Sequence, residues 1–380
     1  MNKRKNILVV TGTRAEYGLL RSTMDAIAAH PALVLRLLVT GMHTLKSYGL
    51  TKREIVRDGY KIDCVVPVRE ESDMLEALTK EIAGIRAYCL KHRPDCILVL
   101  GDRDEPLAAA IVANHLNIPL AHIHGGDVTG PGVDEGIRHA ITKLAHLHFP
   151  GTKKSAARIS ALGEERRRIF SLGSVVVDMV LRSTRFPRAE VAKVLRLDRN
   201  RPWLTVLQHP SSFDKEPLQK QLSSTIQALN AFPHHEKVAI YPNTDTGSAI
   251  FVRTIRDLRK KGYHVFKSLP RLLFMSAIAG SDVLVGNSSA GIIETGYLGT
   301  PTVNIGNRER GRERGAGIID TPYDPVKITA AISRGIALKK KQKGRPFRSP
   351  YGKAGAGKRI ATTLARQLRK RDLLDKRFRV

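Results

Sequence analysis

The chain has 380 residues and carries 64 Lys and Arg against 35 Asp and Glu, a formal net charge of +29. This length predicts two domains, and a hydrophobic fraction of 42% is typical of a globular protein. No apolar run approaches the roughly 20 residues of a membrane-spanning helix, so we expect no membrane partner. Cys64, Cys89 and Cys96 lack metal-ligand spacing, which argues against a disulfide framework or a structural zinc site and predicts a cytoplasmic protein.

The positive charge is concentrated towards the C-terminus, where Asp372 and Asp375 are the only acidic residues of the stretch 339–380. A basic stretch can mark a nucleic-acid-binding protein. No nucleic-acid-binding motif accompanies this one. We therefore interpret it as the solvated end of a protein that handles anions, and we do not expect nucleic acid as a partner.

Short apolar segments rich in β-branched residues alternate with helical patterns along the chain. The predicted strands are 7–10, 33–39, 62–66, 96–100, 120–123, 148–150, 203–207, 238–241, 263–266, 283–285 and 302–305. The predicted helices include 73–92, 105–116, 135–146, 218–231 and 249–261. This alternation is typical of doubly wound parallel sheets.

A charged stretch with two prolines, 182–202, has no clear strand and is interpreted as the passage between domains. The fold class is therefore α/β, with two Rossmann-like doubly wound domains, 1–182 and 183–355, which we expect to face each other across a cleft. In such sheets ligands bind beyond the carboxyl ends of the strands. The residues that follow each strand are thus the candidates for function.

The first strand leads into the turn TGTRAEYG at 11–18. A small, glycine-containing turn that opens a helix suits a phosphate, because free N–H groups of the helix N-terminus point outward. Arg14 could add a bidentate contact to that phosphate. The alternative is a plain strand–helix turn with Arg14 on the surface.

The fourth strand is followed by GDRDEP at 101–106. Asp104, before Glu105 and Pro106, predicts a helix N-cap. Asp102 then remains at the strand end as a candidate acid or base. The alternative is that its carboxylate bonds the amides of the loop.

The fifth strand is followed by HGGD at 124–127 and a loop to the next helix. The adjacent glycines suggest a backbone that makes way for a ligand. Asp134 can cap the helix, and Arg138 lies one turn further on the same face. Polar groups of three loops are thus expected at one sheet edge: Arg14, Asp102, His124, Asp127, Asp134 and Arg138.

The second half offers a different set of groups. His209 and Asn243 each follow a predicted strand. The turn GNSSAG at 286–291 presents hydroxyls and N–H groups suited to a diphosphate, and Glu294 further along is within reach of a ribose diol. Arg308, in GNRERGR at 306–312, adds positive charge. The candidate residues of this half are His209, Asn243, Ser288, Ser289, Glu294 and Arg308.

The segment 352–358 fits the spacing GxxxxGK. Arg359 stands where a phosphate-binding loop needs Ser or Thr for magnesium, and no strand precedes the segment. We reject it as a P-loop.

Eight motifs occur in a fixed order: GTRAEYG at 12–18, GDR at 101–103, HGGD at 124–127, DEGIRHAITKLAH at 134–146, QHP at 208–210, YPNTDTGS at 241–248, GNSSAGIIE at 286–294 and GTPTVNIGNRERGRE at 299–313. Together they resemble the hydrolysing UDP-N-acetylglucosamine 2-epimerases of sialic-acid and legionaminic-acid biosynthesis, over roughly 6–315. The resemblance implies a glycosyltransferase-B type fold in which a C-terminal helix, within 356–380, packs back on the first domain.

The resemblance also implies a reaction. A base removes the C2 proton while UDP leaves C1, and water then adds to the glycal, which gives N-acetylmannosamine and UDP. Asp102 and Asp134 match the family's catalytic carboxylates, and His209 matches a histidine beside the diphosphate. The matches to nucleotide contacts are Arg14, Arg138, Ser288, Ser289 and Glu294. A UDP-sugar substrate and a homo-oligomer are implied, and no redox cofactor or metal is signalled.

The chain departs from the family pattern at His124, where many relatives carry a carboxylate in HxEGG, and at Leu19, where they carry a lysine. His124 or Asp127 then becomes the second acid/base group. The alternatives are a UDP-2,4-diacetamido-2,4,6-trideoxyhexose or a GDP-linked sugar as substrate, the non-hydrolysing epimerase reaction, or a glycosyltransferase of the same architecture.

Overall fold

The structure is a computed structural model that describes residues 4–128, 133–182, 185–212, 214–242 and 247–377. Its first part contains β1 (Lys5–Thr11), α1 (Arg14–Ala29), β2 (Leu33–Val39), α2 (Lys52–Arg57), β3 (Cys64–Val65), α3 (Met74–His92), β4 (Cys96–Leu100), α4 (Asp104–His115), β5 (Leu120–Ile123), α5 (Val133–Leu144), β6 (Leu147–Phe149), α6 (Lys153–Ala161) and α7 (Val175–Arg182). The rest contains α8 (Arg188–Leu195), β7 (Trp203–Leu207), α9 (Leu218–Leu229), β8 (Glu236–Ile240), α10 (Ser248–Asp257), β9 (His264–Phe266), α11 (Arg271–Gly280), β10 (Val283–Gly286), α12 (Ser289–Ile293), β11 (Thr302–Ile305), β12 (Ile318–Thr321), α13 (Pro325–Gln342) and α14 (Ala356–Gln367).

The strands form two six-stranded sheets with the same internal order. The first runs β3-β2-β1-β4-β5-β6 and the second β12-β11-β10-β7-β8-β9, and every pair of neighbours is parallel. In each sheet the strand order reverses beside the earliest strand, so the carboxyl ends at β1/β4 and β7/β10 form the switch points where such folds bind ligands. The predicted α/β, doubly wound class is confirmed.

Both faces of each sheet are buried, as expected when helices cover both sides. In β1, Ile7 and Val9 belong to one apolar cluster, whereas Leu8 and Val10 belong to another. The second sheet likewise separates a cluster around Val206 and Val285 from one around Trp203 and Leu284. The continuous apolar strands in the sequence follow directly from this two-sided burial.

The described residues up to Met179 and from Tyr351 onward form one compact unit, and those from Val180 to Pro350 form the other. The chain returns to the first unit through α14, which packs on α1. A Cβ on Gly357 would lie 2.5 Å from the backbone of Ser22, so only glycine permits this approach of the two helices.

The N-terminus of α14 explains the glycine-rich segment 352–358, which has the spacing of a P-loop. The Asp178 carboxylate accepts the N–H groups of Gly355 at 2.5 Å and Gly357 at 2.8 Å. Gly355 has φ +91°, which a side chain would strain. The helix N-terminus is therefore occupied by a protein carboxylate.

Several elements were not predicted, α8, β12 and α13 among them. α8 lies within the stretch interpreted as the passage between domains, and β12 and α13 follow the last predicted strand. Among the described residues, no helix is both long and apolar enough to cross a bilayer.

Candidate active site

Asp102 lies just beyond β4 and is gripped by a buried arginine. Arg138, which is 1% exposed, donates Nη2 to the Asp102 carboxylate. Its Nη1 lies 2.5 Å from Glu135 and donates to the carbonyl of Asp127 at 3.0 Å. A single guanidinium thus joins the ends of β4 and β5 to the first turn of α5, and it orients Asp102.

Asp134 lies inside the first turn of α5, not before it as the capping interpretation expects. Burial by the surrounding protein, and next the negative charge of Asp102, raise the pKa of Asp134, whereas Arg103 and Arg138 oppose the rise. Two carboxyl groups with different environments therefore stand at one sheet edge. Such a pair is suited to proton transfer.

His122 and Gly125 support the same edge, and the sequence did not single out His122. The His122 ring nitrogen Nε2 lies 2.8 Å from the carbonyl of Gly101, next to Asp102, and burial lowers the pKa of His122 to about 3. A Cβ on Gly125 would lie 2.8 Å from Nδ1 of His122. Gly125 therefore makes way for protein groups and not for a ligand.

His124 adopts a left-handed backbone with φ +62°, which is unusual for a residue other than glycine. Its Nε2 lies 3.0 Å from the hydroxyl of Ser174. Asp127, three residues on, accepts the Ser155 hydroxyl at 2.6 Å. The loop thus holds a strained histidine and an anchored carboxylate, and such strain is concentrated at functional positions.

Arg14 does not join this cluster. Its Nε lies 3.0 Å from Glu54 of α2, and its side chain is 64% exposed. Thr13 caps α1 through its side chain, which accepts the N–H of Glu16. The first turn therefore has the plain strand–helix arrangement, with Arg14 on the surface.

In the second unit, Asn287 connects the ends of three strands. Its side chain accepts the N–H of His209 at 2.7 Å and donates to the His209 carbonyl at 2.9 Å. Its backbone carbonyl accepts Nη1 of Arg308 at 3.3 Å. A Cβ on Gly286 would lie 2.0 Å from the carbonyl of Leu207, so glycine is required for β10 to approach β7 here. Asn287 holds His209 and Arg308 together, although the sequence marked it only as part of a motif.

Ser288 occupies the N-cap position of the short helix α12 without a capping hydrogen bond from its side chain, and it is 8% exposed. Ser289 is the first residue of α12. Glu294, just past the end of α12, accepts Nη2 of Arg271 at 2.7 Å. The glutamate thus has a cationic partner of its own, Arg271. Asn243 lies outside the described residues.

The family model described as UDP-N-acetylglucosamine 2-epimerase matches residues 25–365. A UDP-N,N'-diacetylbacillosamine 2-epimerase (hydrolyzing) of Legionella pneumophila is 36% identical over 329 residues, which are 85% of this chain and 87% of that protein. A UDP-N-acetylglucosamine 2-epimerase of Neisseria meningitidis is 32% identical over 337 residues, 88% of this chain and 89% of that protein.

The solved structures agree on the fold. The crystal structure of UDP-GlcNAc 2-epimerase from Neisseria meningitidis bound to UDP-GlcNAc aligns with a TM-score of 0.76 at 18% identity. The alignment covers 95% of this chain and 100% of the Neisseria chain. The chain therefore shares the two-domain fold of the glycosyltransferase-B type with that enzyme.

Proposed function

Because the chain belongs to the UDP-N-acetylglucosamine 2-epimerase family, we propose that it hydrolyses UDP-N-acetylglucosamine to N-acetylmannosamine and UDP. The observation that carries this proposal is the pairing of Asp102, oriented by Arg138, with Asp134, whose pKa is raised, at the carboxyl edge of the first sheet. The C2–H of the sugar is a weak acid, so its removal needs a carboxylate held close to it.

The reaction balances without a redox partner. A carboxylate of the Asp102–Asp134 pair takes the proton from C2 as the C1–O bond breaks, and UDP departs with the bonding electrons. The glycal that forms then adds water at C1. A proton returns to C2 on the face opposite to the one that lost it, which inverts that carbon.

His124 is our candidate for the second proton-transfer group, in preference to Asp127. The carboxylate of Asp127 accepts the Ser155 hydroxyl at the start of α6, and its carbonyl accepts Arg138, so its contacts are structural. Histidine with its ordinary pKa near 6.5 exchanges protons readily at neutral pH. The hydroxyl of Ser174 fixes the ring at Nε2.

The second unit supplies the nucleotide contacts in this proposal. His209 and Arg308 are held by Asn287, and cationic or N–H groups at such a strand end suit a departing diphosphate. Glu294 is assigned to the ribose diol. The remaining proposed contacts of this unit are Asn243, Ser288 and Ser289.

A second substrate is favoured by one observation: the Legionella relative named for UDP-N,N'-diacetylbacillosamine has the higher identity, 36% against 32% for the Neisseria enzyme. This sugar differs from N-acetylglucosamine at C4 and C6, whereas the bonds that react, at C1 and C2, are the same. The proposed mechanism therefore serves both.

Separate incubations with the two nucleotide sugars, followed by chromatography of the products, test the proposal. Free 2-epimerised sugar together with an equal amount of UDP supports it, and the ratio of kcat/KM values identifies the substrate. Recovery of a UDP-linked epimer would identify the non-hydrolysing reaction. Release of UDP only when a sugar acceptor is added would identify a glycosyltransferase.

We also propose that the enzyme is a cytoplasmic homo-oligomer, on the basis of its family. Light scattering then gives two or four times the chain mass of 42.0 kDa. A monomer mass at micromolar concentration would contradict this part of the proposal.

A further inference from the structure

Arg103 directly follows Asp102 and is anchored by a buried glutamate. Its Nε donates to Oε2 of Glu105 at 3.2 Å. Glu105 is 3% exposed, whereas the Arg103 side chain is 42% exposed. The guanidinium is therefore fixed at one end and open at the other, at the strand end that carries Asp102.

Two glycines from separate segments make room for this glutamate. A Cβ on Gly12 would lie 2.3 Å from Cγ of Glu105, and a Cβ on Gly41 would lie 2.3 Å from its Oε1. Gly12 belongs to the turn after β1, which by its sequence is suited to a phosphate. The glycine of that turn thus serves to seat Glu105, which in turn holds Arg103.

Arg103 differs from the two arginines that the sequence put forward for this edge. Arg138 is buried and grips Asp102 and Glu135, and Arg14 pairs with Glu54 on the surface. Among the described residues, the Arg103 guanidinium makes its hydrogen bond through Nε, and neither of its Nη atoms bonds a protein group. Arg103 is therefore the arginine at this edge that is rigidly held and still open.

Resting on the epimerase function proposed above, we propose that Arg103 is a positioning residue for the reaction. Anchored by Glu105, its guanidinium favours the ionised carboxylate of Asp134 against the negative charge of the neighbouring Asp102. The role is electrostatic. A cation within a few ångströms of a carboxylate favours its ionised form.

The charges around the pair leave little to replace Arg103. The groups that act on Asp134 are Asp102, Arg103 and Asp104 at the end of β4 and the start of α4, and Arg138 of α5. Behind Arg103 lie further buried carboxyl groups, Glu16 of α1 and Glu81 of α3, together with Glu105. Removal of Arg103 therefore leaves Arg138 to oppose the negative charges of Asp102 and Asp104 at Asp134.

The test is the pH dependence of kcat/KM in Arg103→Met and Arg103→Lys. Loss of the cation raises the pKa of Asp134, so the acid limb of the Arg103→Met profile moves up by about one pH unit. Arg103→Lys keeps the charge and returns the limb to within a few tenths of a unit of the wild type. The affinity for UDP stays within twofold in both variants.

Arg36→Met is the matched control. Arg36 is also 42% exposed in its side chain and pairs with a carboxylate, Asp63, at 3.0 Å, but it lies within β2 and away from Asp102. In Arg36→Met we expect the acid limb of the kcat/KM pH profile to stay where it is in the wild type. If Arg103→Met fails to fold, Arg103→Gln takes its place.

The proposal is overturned if the acid limb of the pH profile does not move in Arg103→Met, or if it moves equally in Arg36→Met. It is also overturned if Arg103→Met loses tenfold in UDP affinity while its acid limb stays in place. The last result would make Arg103 a diphosphate contact. Hydrolysis of the nucleotide sugar by the wild type tests the proposed function. The variants test only the role of Arg103, so the two proposals can fail separately.

Discussion

The two units share one strand order and differ in the chemistry of their carboxyl edges. The first edge carries ionisable groups packed against one another: Asp102 on Arg138, Arg103 on Glu105, and the buried Glu16 and Glu81 beside them. At the second edge the side-chain amide and the backbone carbonyl of Asn287 hold His209 and Arg308. The same topology therefore delivers loops to equivalent places, and the side chains decide the task.

The difference follows from what each task requires. Proton transfer needs carboxyl groups whose proton affinities are tuned by neighbours. Holding a nucleotide needs donors of fixed geometry. We therefore expect substitutions at the first edge to change turnover or its pH dependence, and substitutions at the second to change affinity.

The largest effect is expected for Asp102→Asn. An amide cannot accept the C2 proton, so kcat falls by about 10³-fold. UDP affinity, measured by calorimetry, stays within twofold. Asp95→Asn is the matched control, because Asp95 lies at the other end of the same strand and pairs with Lys5 at 2.9 Å. Full activity in Asp102→Asn would contradict the proposal that the first edge carries out proton transfer.

The next effect concerns stability. Glu164 is buried and lies 2.8 Å from Lys376 and 3.1 Å from His148. Glu164→Gln leaves those groups without their anion and lowers the free energy of unfolding by about 3 kcal/mol. The exposed Glu76, paired with Lys80, gives the control Glu76→Gln, with a much smaller loss because solvent screens the pair. Urea unfolding measures both, and equal losses would contradict the account.

The same glutamate has a pH signature. Burial raises its pKa, but the hydrogen bonds from His148, Lys376 and Lys143 outweigh burial and lower the pKa of Glu164 to about 2. A depressed pKa in the folded state stabilises the protein above the ordinary glutamate range. This contribution is lost as the pH falls from about 4.5 towards 2. The stability difference between wild type and Glu164→Gln therefore shrinks over that range.

A smaller effect is expected for Glu294→Gln in the second unit. The variant weakens the pairing with Arg271 and the proposed ribose contact, so KM rises about tenfold while kcat stays within twofold. Glu236→Gln is the control, since its side chain is 10% exposed against 13% for Glu294 and pairs with Arg201 at 3.0 Å, at the amino end of β8. A fall in kcat without a change in KM would contradict the division of tasks.

The smallest effect is expected for Glu81→Gln, and it has the opposite sign. Burial, and next the charge of Glu105, raise the pKa of Glu81 to about 8. The folded wild type therefore loses stability as the pH rises from about 4.5 through 8, because the unfolded glutamate releases its proton first. Glutamine resembles the protonated form, so the variant is more stable at pH 9 by at least about 1 kcal/mol. Thermal melts at pH 5 and pH 9 measure the change.

The strand ends could be predicted from the sequence because the strands are apolar on both faces. The run 96–100 is bounded by Asp95 and Gly101, and it coincides with β4. The parallel order then places Asp102 and Asp134 near the same edge. By contrast, α8 was missed because its one buried face, around Val191 and Leu195, is hidden among charged residues.

The side-chain pairings could not be predicted, because they depend on residues distant in the sequence. From the sequence, Arg14 is a candidate phosphate ligand. In the structure it pairs with Glu54 of α2, which lies forty residues further along the chain. Glu105 reads as an ordinary first-turn residue of α4. Its burial depends on Gly12 and Gly41, which make space for it from two other loops.

The most direct test of the central claim is hydrolysis of UDP-N-acetylglucosamine in deuterated water, with the product analysed by proton NMR. Removal and return of the C2 proton at the first edge predict free N-acetylmannosamine that carries one deuterium at C2. Free N-acetylglucosamine with its original C2 proton would show that UDP is lost without chemistry at C2, and it would contradict the account.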